Sequence, residues 1–207
     1  MDADAVEIRV LGCLIEKQRT TPDVYPLSLN ALRAACNQST NRDPVMSYDE
    51  PQIRAALERL SRKRWVRLAS GAGSRAAKYR HLLDEALSLS GAELSLLAVL
   101  MLRGAQTPGE LKQRVERLHR LESLADVETA LDGLVDRQLV AKLPRRPGQK
   151  EERCRQLLGG DGDEAPLHEV VGTPAVPLDL EGRVARLEAE VARLGDALDS
   201  LQSNSGR

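Results

Sequence analysis

Two stretches of this chain carry the same pattern, so whatever they form must form twice. Val6-Glu7-Ile8 through Thr21-Pro22 matches Ala92-Glu93-Leu94 through Thr107-Pro108 at an offset of 86, with Glu7 on Glu93, Leu11 on Leu97 and Leu14 on Leu100. Ile53 to Leu68 matches Val127 to Lys142 at an offset of 74, and Ala56, Leu57, Leu60 and Val66 fall on Ala130, Leu131, Leu134 and Val140. Lys78 to Leu83 matches Arg153 to Leu158 at an offset of 75. The offsets imply 12 extra residues between the second and third elements of the first copy and one extra in the last loop of the second. Two copies of one small module account for the length of 207 residues.

Each copy reads helix, helix, helix, strand, turn, strand. Val6, Val10, Leu11, Leu14 and Ile15 recur at helical spacing, and Ser28 is placed to cap a short second helix bearing Leu29, Leu32 and Ala35. Asp49 and Gln52 form a capping-box pattern ahead of Ile53, Ala56, Leu57 and Leu60, with Pro51 tolerated in the first turn. Trp65 to Leu68 and Lys78 to Leu82 read as strands around the turn Ser70-Gly71-Ala72-Gly73-Ser74. In the second copy, Ser90 with Glu93 and Thr107 with Glu110 start two helices, and Gly104 ends the first. Leu139 to Leu143 and Arg153 to Leu157 then flank the loop 144–150. Three helices and a hairpin make the winged form of the helix-turn-helix, whose third helix can enter the major groove. The expected fold class is therefore mainly α with small β-hairpins (α+β). It comprises winged-helix domains at 1–85 and 86–158, a flexible acidic linker at 159–179 and a coiled-coil helix at 180–203.

Composition supports this. There is no Phe, one Trp and three Tyr, so the core must be aliphatic, which suits small helical units. The same scarcity of rings disfavours an aromatic platform for RNA. Three cysteines, Cys13, Cys36 and Cys154, are too few and too scattered for a disulfide framework, and with His81, His119 and His168 they show no metal-ligand spacing. No nucleophile–base pair stands out, so neither an enzyme nor a cofactor is expected. Without a secretory pattern, and with its longest apolar run (Leu94 to Leu102) half a membrane span, the chain is expected in the cytoplasm and not in a membrane.

A formal net charge of −1 hides a basic body and an acidic tail: residues 1–84 are net +4, 85–160 net +1 and 161–207 net −6. Residues 51–80 alone hold nine Lys and Arg against Glu58, a footprint for a polyanion. The expected duplex contacts are Gln52, Arg54, Arg59, Arg62 and Lys63 on the third helix and Arg75, Lys78 and Arg80 around the first wing. Arg pairs bidentately with guanine or phosphate, and Gln with adenine. The third helix of copy two instead carries Glu128, Asp132 and Asp136, which would repel phosphates. That leaves Arg145, Arg146 and Lys150 of its wing for backbone contact. The run Cys36 to Arg42, just ahead of the third helix, offers amides to DNA or a partner, or simply ends a helix.

Several strings also resemble a known family. Tyr25-Pro26-Leu27-Ser28-Leu29-Asn30-Ala31-Leu32, Ala35-Cys36-Asn37-Gln38, Asn41-Arg42-Asp43-Pro44-Val45, Ser70-Gly71-Ala72-Gly73-Ser74-Arg75 and the run Leu94 through Leu111 are similar to the YceH family of bacterial proteins. The resemblance spans about residues 5–158. It implies a tandem winged-helix fold and a bacterial cytoplasmic origin, and it brings no substrate and no catalytic residue.

Beyond the linker, Val184, Val191 and Leu198 occupy heptad a positions, and Leu180, Leu187, Leu194 and Leu201 occupy d. Valine at a with leucine at d favours a parallel two-stranded coiled coil, hence a homodimer; folding of this helix back onto the body is the alternative. Two functions fit the charge map. One is a DNA-binding protein, a bacterial transcriptional regulator that holds double-stranded DNA through domain 1. The other is a winged-helix adaptor or scaffold whose basic surface meets an acidic protein partner.

Overall fold

The structure is a computed structural model that describes residues 3–69, 77–145 and 151–159. The chain starts with α1 (Ala5–Thr20), a one-turn 3₁₀ helix (Pro22–Val24), β1 (Leu27–Ser28), α2 (Leu29–Cys36), α3 (Glu50–Arg62), β2 (Val66–Leu68) and β3 (Lys78–His81). A short α4 (Leu83–Leu87) leads to α5 (Gly91–Arg103), α6 (Pro108–Val115), α7 (Leu124–Asp136), β4 (Val140–Leu143) and β5 (Arg153–Gln156). The described residues thus make a mixed α/β fold with two small antiparallel sheets.

Helix starts follow the local chemistry of the sequence. Reciprocal capping boxes open α1 (Asp4/Glu7), α3 (Asp49/Gln52), α5 (Ser90/Glu93), α6 (Thr107/Glu110) and α7 (Ser123/Asp126). Each such cap contributes about 1 kcal/mol by satisfying N–H groups left over in the first turn. The two third helices also end alike. In α3 the Arg64 N–H bonds to the Ser61 carbonyl and the Trp65 N–H to the Leu60 carbonyl, both at 3.0 Å. In α7 Gln138 and Leu139 make the equivalent bonds to Val135 and Leu134 at 2.9 Å. These are Schellman closures, and both place a non-glycine residue in the left-handed region, Arg64 at φ 61° and Gln138 at φ 57°.

The sheets differ by one strand. β1, β3 and β2 form a three-stranded sheet in which Leu27 faces Tyr79 and Val66, Arg67 and Leu68 face His81, Arg80 and Tyr79. β4 and β5 pair from Val140 with Gln156 to Leu143 with Arg153, and Gln106 bridges to Cys154 where the third strand would lie. The extra residues of the first copy fall on both sides of α2, as the 3₁₀ turn and β1 before it and a strap, 37–49, after it. This corrects the expectation of a single insertion between the second and third elements.

The two copies share one aliphatic core built on α1 and α5, with Leu11, Leu14, Ile15, Leu94, Leu97 and Leu100 buried together. The division expected at residue 85 falls inside α4, whose Leu83 is fully buried, and the described residues belong to one compact unit. The crossing is close at Gly12, where a Cβ would stand 2.9 Å from Leu102 side-chain atoms. The strap is tied inward at several points, and of the two readings of the 36–42 run the helix end is the one seen, with Asn37 capping α2. Asn37 and Tyr48 exchange hydrogen bonds of 2.7 and 2.8 Å, and the Asp43 N–H reaches the Leu102 carbonyl at 2.9 Å. Arg42 is buried in a bidentate pair with Glu16, at 2.6 and 3.2 Å. Burial alone would raise the Glu16 carboxyl, but Arg42, with help from Arg117, holds it below the ordinary carboxylate value.

The linker 159–179 beyond Gly159, the helix 180–203 with its heptad residues, the wing tip with Arg75, and Arg146 and Lys150 lie outside the described residues. Among the described residues no helix is long and apolar enough to cross a membrane.

Candidate nucleic-acid interface

The apolar stripe of α3, Ile53, Ala56, Leu57 and Leu60, is buried against α1 and α2, as its spacing demands. That turns Gln52, Arg54, Glu58 and Arg62 to solvent. The cations expected to touch a duplex then separate into two groups. Arg59 pairs with Asp4 and lies 3.6 Å from Glu7, and Lys63 reaches Glu7 at 2.9 Å, so both clamp α3 to the start of α1. Arg54 pairs with Glu50 and Arg80 with Glu85, each at 2.6 Å, and Arg145 stands 3.7 Å from Glu152. The Gln52 side-chain oxygen accepts the Asp49 N–H at 2.9 Å as part of the cap. Lys78 is half-buried in β3.

Arg62 is exposed and in no ion pair among the described residues, and so are Arg64 and Arg67. The last two were absent from the expected contacts, although both sit in the basic window that the charge count singled out. Arg67 is also opposite Arg80 in the β2–β3 register. Like charges directly opposed across strands are unfavourable, and here the Arg80–Glu85 pair offsets that cost, which leaves Arg67 as the one of the two available to a polyanion. Arg64 occupies a conformation that glycine would hold more easily. A free cationic patch thus runs from the last turn of α3 through its Schellman corner into β2.

The copies diverge in charge along the outer face of the third helix. Arg54, Glu58 and Arg62 correspond at the 74-residue offset to Glu128, Asp132 and Asp136, all exposed on α7. Asp132 takes Lys142 at 2.6 Å, and Arg137 turns back to the carbonyls of Leu87 and Ser88 and toward Glu93. The α7 face is acidic where the α3 face is mixed and basic.

Trp65, His81 and the three cysteines are interior. Trp65 is buried, with Lys63 Nζ 5.7 Å from its ring centroid, which fits a packing role. All three cysteines are buried. The hydrogen bond with Cys13, then burial, hold the Cys36 thiol well above its ordinary value, and burial raises Cys154. Burial acts to raise Cys13 as well, but its bond to Cys36 and the nearby Arg42 outweigh that and lower it. His81 is buried, and its Nε2 donates to the Gln18 side-chain oxygen at 2.8 Å. Burial pushes its pKa down to about 4, against the pull of Asp84 and with the help of Arg80 and Arg19.

Residues 3–149 match the family described as "Protein of unknown function, DUF480". The chain is 51% identical over 191 residues to a UPF0502 protein of Citrifermentans bemidjiense, covering 91% of this chain and 88% of the relative. It is 44% identical over 209 residues to the UPF0502 protein YceH of Salmonella typhimurium and to that of Salmonella typhi, covering 98% of this chain and 97% of each relative. With the match running through strap, sheets and both sets of helices, the chain belongs to the DUF480 family, that of the UPF0502 protein YceH.

Proposed function

We propose that each copy is a winged helix and that the protein is a cytoplasmic DNA-binding factor, a bacterial transcriptional regulator that grips duplex DNA with copy one. Its α3 enters the major groove, Arg62 and Arg64 meet phosphates or guanine edges there, and Arg67 with the adjoining wing follows the backbone. The observation that carries this reading is the patch of Arg62, Arg64 and Arg67, exposed and with no counter-ion among the described residues, where the same offset in copy two gives Asp136, Gln138 and Ala141. Pairing through the 180–203 heptads would present two such patches to a pseudo-palindromic site. Arg59 and Lys63 act in this scheme as clamps that hold α3 in place.

Fluorescence anisotropy of random duplex DNA between about 50 and 200 mM salt tests the reading. Affinity should fall steeply with salt. Exchanging Arg62 and Arg67 for Glu should abolish binding, and exchanging Asp132 and Asp136 for Ala should leave it intact. Equal loss in both variants, or no binding at low salt, would defeat the proposal. The acidic α7 face and the internal pairing of Arg54, Arg59, Lys63 and Arg80 favour one alternative, an adaptor that meets proteins and touches no DNA.

A further inference from the structure

A cleft of about 330 Å³ opens between α5 and α6 against the strap, away from the α3 patch. Its floor is apolar, from Val99, Leu102 and Leu118, and three guanidinium groups, Arg103, Arg114 and Arg117, line its walls. Carboxylates are too few for these cations. Glu16 serves both Arg42 and Arg117, and Glu110 serves both Arg114, at 3.7 Å, and Arg153, at 3.3 Å. Arg103 has a neutral partner, the Asn41 side-chain oxygen at 3.1 Å. Asp43 does act on Arg103, and Glu116 is itself part of the lining, 4.0 Å from an Arg120 that sits nearer Glu122 at 3.2 Å; three lining guanidinium groups still face one lining carboxylate.

Three observations mark the cleft as built for a ligand. Arg114 Nη1 is buried with no hydrogen-bond partner among the described residues, and its side chain is 30% exposed, so the guanidinium has a donor to spare for a ligand once it turns into the cleft. Burial, then the like charges of Arg114 and Arg117, depress the Arg103 guanidinium, a penalty that an anion would remove. Asn41, which orients Arg103, holds a left-handed backbone at φ 58°, a strained conformation of the kind that gathers at binding sites. Size and lining suit a small molecule with an apolar body and a doubly charged head.

We propose that this cleft binds a small phosphate-bearing ligand, its phosphate held by Arg103 and Arg114 and its body laid on Val99, Leu102 and Leu118. Arg117 completes the cationic wall from its pair with Glu16. Because Asn41 belongs to copy one and the three arginines to copy two, the ligand would sit at the junction of the copies. The proposal does not rest on DNA binding.

Calorimetric titration of the full chain with phenyl phosphate and with inorganic phosphate, near physiological salt, is the test. Phenyl phosphate should bind at one saturable site, about tenfold tighter than inorganic phosphate because of the apolar floor. Arg103→Gln and Arg114→Gln should each weaken it about tenfold or more, Arg114→Lys less, and Arg120→Gln less than about twofold. Without ligand, Arg103→Gln should leave the thermal midpoint unchanged or raised, since it relieves repulsion; a merely structural arginine would lower it. No saturation by about 10 mM phenyl phosphate, or unchanged affinity in both Gln variants, would overturn the proposal. If phenyl phosphate is silent and the same variants weaken a random duplex, the arginines contact a nucleic-acid backbone and the small-ligand site is refuted.

Discussion

His81 shows how burial changes what a residue contributes. Its side chain is fully covered, Nε2 is satisfied by Gln18, and Nδ1, 3.5 Å from Asp84, has no hydrogen bond among the described residues. With a folded pKa of about 4 against the ordinary 6.5, the unfolded chain takes up the proton first. The neutral ring therefore lends its full stability above pH 6.5, loses it as pH falls toward 4, and changes nothing further below that. The loss by pH 5 is roughly 2 kcal/mol. The drop in unfolding free energy between pH 7.5 and 5, from urea titrations, should shrink by about that amount in His81→Gln; an unchanged drop would assign the acid sensitivity to other groups. Nothing in the spacing of the three histidines marked His81 in this way, because Gln18 and Asp84 converge on it only after folding. The same holds for Arg59 and Lys63, whose partners Asp4 and Glu7 lie 55 and 56 residues away in the chain.

At the scale of elements, the third helices are the informative pair. Their capping, apolar stripes and Schellman ends are alike, so the backbone is the same device used twice. Their outward charges are opposite. Arg64 links the two properties, since it keeps a left-handed corner that glycine would hold at lower cost. Arg64→Gly should therefore stabilise the protein by roughly 0.5–1 kcal/mol in urea unfolding. It should weaken duplex binding severalfold in anisotropy and lower the salt slope by about one. Stabilisation with unaltered binding would remove Arg64 from the interface. The starts of α2, α3, α5 and α6 and strands β2 to β5 were legible because caps, turns and periodicity act over a few residues; the caps Asp4 and Ser123 and the short α4 went unread. β1 was not, since two residues, Leu27 and Ser28, show no alternation and become a strand only by pairing with Tyr79 and Lys78.

Across the whole molecule, the first helices of the two copies join them into one core. Gly12 permits that crossing, and Gly12→Ala would drive a Cβ against Leu102 and toward Met101 Cβ at 3.1 Å. Both neighbours are buried, so relief requires moving α1 from α5. A loss of about 1–3 kcal/mol is expected in a single urea transition reported alike by far-UV signal and by Trp65 fluorescence. Separate transitions for the two signals would show that the copies unfold independently. By itself the sequence determined the duplicated module, the order of its elements, the aliphatic core and the segregation of charge. These follow from periodicity, capping and composition, which are local or summed properties. Only the tertiary structure decided which cations are left free, how the strap buries Arg42 on Glu16, and that α1 and α5 fuse the copies. The physical reason is distance along the chain: an ion pair or a helix crossing depends on residues that sequence separates and packing brings within a few ångströms.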